Sequence, residues 1–117
     1  MIPFNFRFHG HGGLKAVYSS GKVVRTHFAT LKYITATRPV KIRIAVVVSK
    51  KVIKSAVKRN RIRRRIYEYI RIQSDKLIPG SDIVVIVTSR EFLEMSSRSL
   101  QKELNQLFES ANLYKQQ

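Results

Sequence analysis

Alternation of apolar and polar residues predicts two β-strands in the first half of the chain. One lies within residues 23–36 and the other spans residues 41–49, where β-branched residues are frequent. In the first strand, Ala29, Leu31 and Tyr33 share one face, and Phe28, Thr30, Lys32 and Ile34 share the other. In the second strand, Ile42, Ile44, Val46 and Val48 share a face. Because Pro39 lies in a short turn between them, we expect the two strands to form a hairpin.

Helical spacing of apolar residues predicts three helices. Leu14, Val17 and Tyr18 mark a short helix over residues 14–20 that ends at Gly21. A longer helix over residues 55–73 begins at Ser55, a good N-cap, and its apolar face comprises Ile62, Ile66, Tyr69 and Ile70. The last helix follows Ser96 or Ser97, and its apolar stripe comprises Leu100, Leu104, Leu107, Phe108 and Ala111.

Residues 83–87 form a continuous apolar run, Ile-Val-Val-Ile-Val, after a turn at Pro79-Gly80. Such a run is typical of a strand that is buried on both faces in a parallel pairing. With the strand at 41–49 and the helix at 55–73, this run predicts a β-α-β crossover and hence an α/β fold. A chain of 117 residues is expected to form one domain, residues 1–117, with a loosely structured segment at residues 1–13.

The charge of the chain is strongly positive and is concentrated in one place. The formal net charge is +16 and the pI is about 10.9. The basic segment, residues 50–71, contains ten Lys or Arg residues and one acid, Glu68. A helix face that only contacts solvent usually carries both positive and negative charges, whereas clusters of Arg suit the binding of phosphate groups. A membrane-binding helix would stand apart from the fold, and this segment lies between two strands. The pattern therefore favours a nucleic-acid partner over a membrane or an acidic protein.

The residues that usually carry catalysis are sparse. The chain has seven carboxylates without an obvious pair, no cysteine, and three histidines at positions 9, 11 and 27. We interpret His9 and His11 as part of a polar turn because no third metal ligand is nearby. The sequence predicts no catalytic residues and no metal site of the protein's own. It shows no signal peptide and no apolar run of 18 residues, so a cytoplasmic location is expected.

The order of residues within the basic segment resembles a known family. Ser49-Lys50-Lys51, followed by Ala56-Val57-Lys58-Arg59-Asn60-Arg61-Ile62-Arg63-Arg64, is similar to the signature of the bacterial ribonuclease P protein subunit. The turn at residues 79–82 and the closing Leu113-Tyr114-Lys115 extend the resemblance over nearly the whole chain.

The resemblance implies a fold and a function. The fold would be a two-layer α/β sandwich with a mixed four-stranded sheet, about three helices and a left-handed crossover, where the general rule predicts a right-handed one. The protein would bind a catalytic RNA subunit and precursor tRNA, and the complex would remove the 5′ leader. Mg²⁺ would be held mainly by the RNA, and no obligate protein partner is expected.

The resemblance and the charge pattern together give the site candidates. The RNA-binding candidates are Lys50, Lys51, Lys54, Lys58, Arg59, Asn60, Arg61, Arg63, Arg64 and Arg65. By resemblance, a cleft between the first helix and the sheet would hold the leader, with Leu14, Tyr18, Leu31 and Tyr33 as candidates. The Lys/Arg-rich run that often opens family members is replaced here by His9-Gly10-His11-Gly12-Gly13.

Two alternatives remain open on the residues alone. One is a ribosome-associated or RNA-associated structural protein with no role in cleavage. The other is a DNA-binding regulator, although such readers usually mix Asn, Gln and Arg at base contacts, and Asn60 stands alone here.

Overall fold

The computed structural model describes Val17 and residues 21–34 and 42–115. This part of the chain contains four β-strands and two α-helices. The strands are β1 (Lys22–Arg25), β2 (Ala29–Ile34), β3 (Arg43–Val48) and β4 (Asp82–Val87). The α-helices are α1 (Ala56–Gln73) and α2 (Ser97–Ser110), and short 3-10 helices cover Ser74–Lys76 and Arg90–Leu93.

The four strands form one mixed sheet in the order β1-β2-β4-β3. β2 is antiparallel to β1 and β4, and β3 is parallel to β4. The β3-α1-β4 unit confirms the predicted crossover connection and the mixed four-stranded sheet. The predicted hairpin between β2 and β3 is wrong, because β4 lies between them and the hairpin partner of β2 is β1. β4 is apolar on both faces, so it takes a central place, and Val84 and Val85 are both fully buried.

Helix α1 follows its sequence pattern closely. The Ser55 hydroxyl accepts a hydrogen bond from the backbone N–H of Lys58 at 3.3 Å, which confirms the predicted N-cap. The four residues of the predicted apolar face are the buried residues of this helix: Ile62, Ile66, Tyr69 and Ile70. Their burial in the core fixes which side of α1 faces solvent.

The helices cover one face of the sheet. That face carries Ala29, Leu31 and Tyr33 of β2, Ile44, Val46 and Val48 of β3, and Ile83, Val85 and Val87 of β4, all of which are buried in the core with the apolar residues of α1 and α2. The opposite face is less covered: Thr30, Lys32 and Ile34 of β2 are half-buried. The two layers are therefore the helices and the sheet.

Helix α2 and the segment after it close the core. Ser96 caps α2, as predicted, and Leu100, Leu104, Leu107 and Phe108 are buried. The chain then turns at Asn112, whose φ is 55°. Backbone hydrogen bonds from Ile78 to Leu113 (2.8 Å) and from Lys115 to Lys76 (2.7 Å) attach the C-terminal segment beside the end of α1.

The number of α-helices in the described residues is two, where about three were expected. The predicted first helix, residues 14–20, lies outside these residues except for Val17, which is helical and fully buried. The Gly21 N–H donates to the Val17 carbonyl at 2.9 Å. A Cβ at position 21 would clash with that carbonyl oxygen, which accounts for glycine there.

Candidate nucleic-acid interface

A tight loop presents the first lysines of the basic segment. The N–H groups of Val52 and Ile53 donate to the Ser49 carbonyl at 3.2 and 3.1 Å, and the Ile53 side chain is buried. Lys50, Lys51 and Lys54 are exposed on the loop that these contacts shape. The loop is therefore anchored by its backbone and by one apolar side chain, and its charges face solvent.

Arg59 joins this loop to helix α1. Its guanidinium donates to the carbonyl oxygens of Ile53 at 2.9 Å and Lys54 at 2.8 Å. The planar guanidinium suits two acceptors at once, where a lysine offers a point charge. Arg59 thus holds the lysine loop against the N-terminus of α1, whose first turn contains no acid and carries its own partial positive charge.

The outer side of α1 carries cations that the fold leaves available. Lys58, Arg61 and Arg64 are exposed, and they have no ion pair or side-chain hydrogen bond with any residue that the structure describes. Asn60 accepts a hydrogen bond from Arg63. Farther along α1, Arg71 pairs with Glu68 at 2.5 Å, and this hydrogen bond lowers the pKa of Glu68. The acid on this side of the helix is therefore neutralised by an arginine.

Arg65 belongs to the basic segment, but its side chain binds within the protein. Its guanidinium donates to the carbonyl oxygens of Phe92 (2.8 Å) and Leu93 (3.4 Å) and to that of Met95. These carbonyls belong to the 3-10 helix Arg90–Leu93 and the turn after it. Arg65 thus attaches α1 to the segment that leads into α2, and its charge is directed into the protein.

The structure places the leader-cleft candidates differently from the expectation. Leu31 is fully buried and Tyr33 is 8% exposed, and both lie on the helix-covered face of the sheet. Neither side chain is available to an RNA strand, which corrects this part of the expectation. Leu14 and Tyr18 lie outside the described residues.

The half-exposed face of the sheet is the alternative surface for a strand of nucleic acid. It carries Thr30, Lys32 and Ile34 of β2 beside Ala45, Val47 and Ile86 of the neighbouring strands, all partly exposed, while Val84 in the middle of this face is fully buried. At one end, Arg43 makes a bidentate pair with buried Asp82, at 2.8 and 2.6 Å. This hydrogen bond raises the pKa of Arg43. Alternation in the sequence separates the two faces but does not say which one the helices cover, so these residues were missed.

The described ranges lack the features of a metal site and of a membrane-spanning helix. No group of three His, Cys, Asp or Glu side chains there is placed to hold a metal ion. In the same ranges, neither α-helix combines the length and the apolar character that crossing a bilayer requires.

The described structure has three features of small basic α/β proteins that bind nucleic acid. They are a half-covered sheet, a lysine loop held by Arg59, and exposed arginines on α1. Comparison with known proteins identifies the family. The family described as Ribonuclease P matches residues 5–112. The ribonuclease P protein component of Synechococcus sp. (strain WH7803) is 34% identical, over 97% of this chain and 98% of that protein. Its counterpart from Caldanaerobacter subterraneus subsp. tengcongensis is 32% identical, over 87% and 85%. The chain belongs to the ribonuclease P protein family.

Solved structures show the same fold. The RNase P protein of Staphylococcus aureus superimposes with a TM-score of 0.82 at 23% identity, covering 94% of this chain and 98% of that one. The RNase P protein of Thermotoga maritima gives a TM-score of 0.72 at 22% identity, covering 86% and 94%.

Proposed function

We propose that this chain is the protein subunit of ribonuclease P, which binds the RNA subunit and precursor tRNA and promotes removal of the 5′ leader. The observation that carries the proposal is the set of exposed cations on the lysine loop and α1. Lys58, Arg61 and Arg64 have no partner among the described residues, and Arg59 fixes the loop that carries three more lysines. Because the anchored loop and the helix hold the backbone of these cations in place, little backbone entropy is lost when phosphates bind, which supports RNA affinity.

Catalysis is assigned to the RNA subunit, with Mg²⁺ held mainly by that RNA. Two of the chain's seven acids, Glu68 and Asp82, are engaged by arginines. The protein would act through charge: it would neutralise phosphates that repel each other where RNA subunit and substrate meet. No step of bond cleavage is assigned to a protein side chain.

The leader would lie on the half-exposed face of the sheet. Thr30 and Lys32 offer polar contacts there, and Ile34, Val47 and Ile86 offer an apolar surface for unstacked bases. Single-stranded nucleic acid is commonly bound by cationic grooves with aromatic stacking platforms, and on this face aliphatic side chains would supply the contact surface instead. Leader contact through Leu14 or Tyr18 remains part of the proposal.

Reconstitution tests the proposal. The full chain is mixed with a matching ribonuclease P RNA and a precursor tRNA at low Mg²⁺, and leader removal is followed on a gel. We expect stimulation of cleavage by the protein, and no cleavage by the protein alone. RNA binding without any stimulation would favour a structural RNA-associated protein instead. Cleavage by the protein alone would refute the assignment of catalysis to the RNA.

A matched pair of lysine variants tests the surface itself. Lys58 and Lys76 are both exposed, but Lys58 is in the first turn of α1 and Lys76 ends the 3-10 helix that follows α1, with about 22 Å of helix axis between Lys58 and the end of α1. We expect Lys58→Ala to weaken RNA-subunit binding and Lys76→Ala to leave it near wild type. If about six phosphates are contacted, log K should fall with log salt at a slope of about −4 to −5. Equal effects of the two variants, or a slope near zero, would contradict the assignment.

A further inference from the structure

An open groove runs between α1 and the first turns of α2. It encloses about 450 Å³, which lies within the range of about 300–1,000 Å³ typical of small-molecule sites. Its lining residues are Arg61, Arg64, Arg65, Glu68, Tyr69, Ile72, Ser97, Leu100 and Gln101. The leader surface described above is on the other side of the sheet, so this groove is a separate feature.

The groove combines an apolar floor with free cations at one end. Tyr69 and Leu100 are 5% and 3% exposed and form part of the floor, while Ile72 stands beside them with 57% of its surface exposed. Ile72 therefore supplies the accessible apolar surface of the groove. On α1, Ile72 lies about 12 Å from Arg64 along the helix axis.

The charged side chains that line the groove differ in whether they already have partners. The guanidinium of Arg65 is occupied by backbone carbonyls, and Glu68 is held by Arg71. Arg61 and Arg64 are left without a partner among the described residues. A ligand that fits should therefore be anionic at the Arg61 end and apolar at the Ile72 end.

We propose that this groove binds a single unpaired nucleotide of the RNA partner, with its phosphate at Arg61 and Arg64 and its base against Ile72. The proposal rests on the proposed function for the identity of the RNA. Ser97 and Gln101 on α2 supply polar groups for the edge of the base. The small volume admits one base and excludes a double helix, and the net charge of +16 disfavours a second copy of this chain.

Titration of the free full-length protein tests the groove directly. Adenosine 5′-monophosphate and inorganic phosphate are added separately, and backbone amide shifts are followed by NMR. We expect saturable shifts at Ile72, Leu100 and Gln101, with binding of the nucleotide at least about fivefold tighter than that of phosphate, because the base adds apolar contact with Ile72. Equal affinities, or shifts confined to residues 49–59, would overturn the proposal.

Variants test the groove in the RNA complex. We expect Ile72→Ala to weaken binding of the RNA subunit about tenfold, the scale of about two buried methylene groups lost, with no change in the salt slope. Arg64→Ala should weaken binding and reduce the salt slope by about 1.

Gln101→Ala is compared with Gln106→Ala, the same residue type, exposed on the same helix but outside the groove. Only Gln101→Ala should weaken binding.

The two proposals fail in different ways. If the wild-type protein stimulates leader removal but Ile72→Ala and Gln101→Ala bind RNA like wild type, the groove proposal is wrong and the proposed function stands. If the wild-type protein gives no stimulation, the proposed function is wrong, whatever the nucleotide titration shows.

Discussion

Arginines that look alike in the sequence have different roles in the structure. Arg64 and Arg65 are adjacent, yet Arg64 is exposed without a partner in the described residues, and Arg65 donates to three backbone carbonyls. Helical periodicity places both on the polar side of α1. It does not reveal that the segment after β4 packs against that side, because that contact joins residues 27 to 30 positions apart. The charge pattern predicted the basic surface, but only the tertiary fold shows which of its arginines are exposed and which bind within the protein.

Replacing each of these arginines by lysine should separate their roles. Lysine keeps the charge but cannot direct several N–H groups at three carbonyls. We expect Arg65→Lys to lower the free energy of unfolding by about 1–3 kcal/mol, because partly buried carbonyls lose donors. Arg64→Lys should change it by less than about 0.5 kcal/mol, as for other exposed positions. Urea unfolding measures both, and equal effects would contradict the assigned role of Arg65.

Elements with strong local signals were predicted well. The cap at Ser55 and the four buried residues of α1 follow from spacing alone, because one amphipathic helix determines them locally. The strand at 83–87 and its crossover were also predicted, since an apolar run marks a buried strand.

Strand order could not be predicted in the same way. Pairing of β2 with β4 joins residues about 50 positions apart, and no local pattern in β2 distinguishes β4 from β3 as its partner. The short β1 was missed as a separate strand because its four residues are mostly exposed and carry no alternation of their own. The face of the sheet that stays half-exposed was missed for the same reason, since helix packing decides it.

A tyrosine pair connects three elements and gives a pH prediction. Tyr69 of α1 hydrogen-bonds to Tyr114 at 2.9 Å, and Tyr114 donates to Asn105 of α2 at 2.7 Å. Burial raises the pKa of Tyr69 and, separately, that of Tyr114 above the ordinary value of about 10. The unfolded chain therefore loses these protons at lower pH than the folded protein does.

The sign of the effect follows from proton binding. Below about pH 10 both states keep the tyrosine protons, and the stabilisation is complete. Above it the unfolded state binds fewer protons, so the free energy of unfolding falls by up to about 1.4 kcal/mol per pH unit for each tyrosine. We expect Tyr69→Phe to show a shallower fall between about pH 10 and 11. Denaturant unfolding across this range measures it, and parallel profiles would contradict the prediction.

The charge of the whole molecule acts on folding and on binding in opposite directions. With 23 basic and seven acidic residues, the folded state gathers like charges within a body of 37 × 32 × 25 Å. The Debye length is about 30 Å at 0.01 M salt and about 8 Å at 0.15 M, so low salt lets repulsion act across the whole protein. Salt should therefore stabilise the free protein, while it weakens the attraction between the protein and RNA phosphates.

Calorimetry and binding measurements on the same samples test this opposition. Raising NaCl from about 0.01 to 0.15 M should raise the Tm of the free protein by about 5 °C, the shift that about 1 kcal/mol produces in a domain of this size. Over the same range, affinity for the RNA subunit should fall. NaCl is preferred to sulfate because sulfate stabilises proteins generally. A Tm that stays constant or falls with NaCl would mean that repulsion among the cations does not destabilise the free protein. The basic surface would then bind RNA without lowering the stability of the fold.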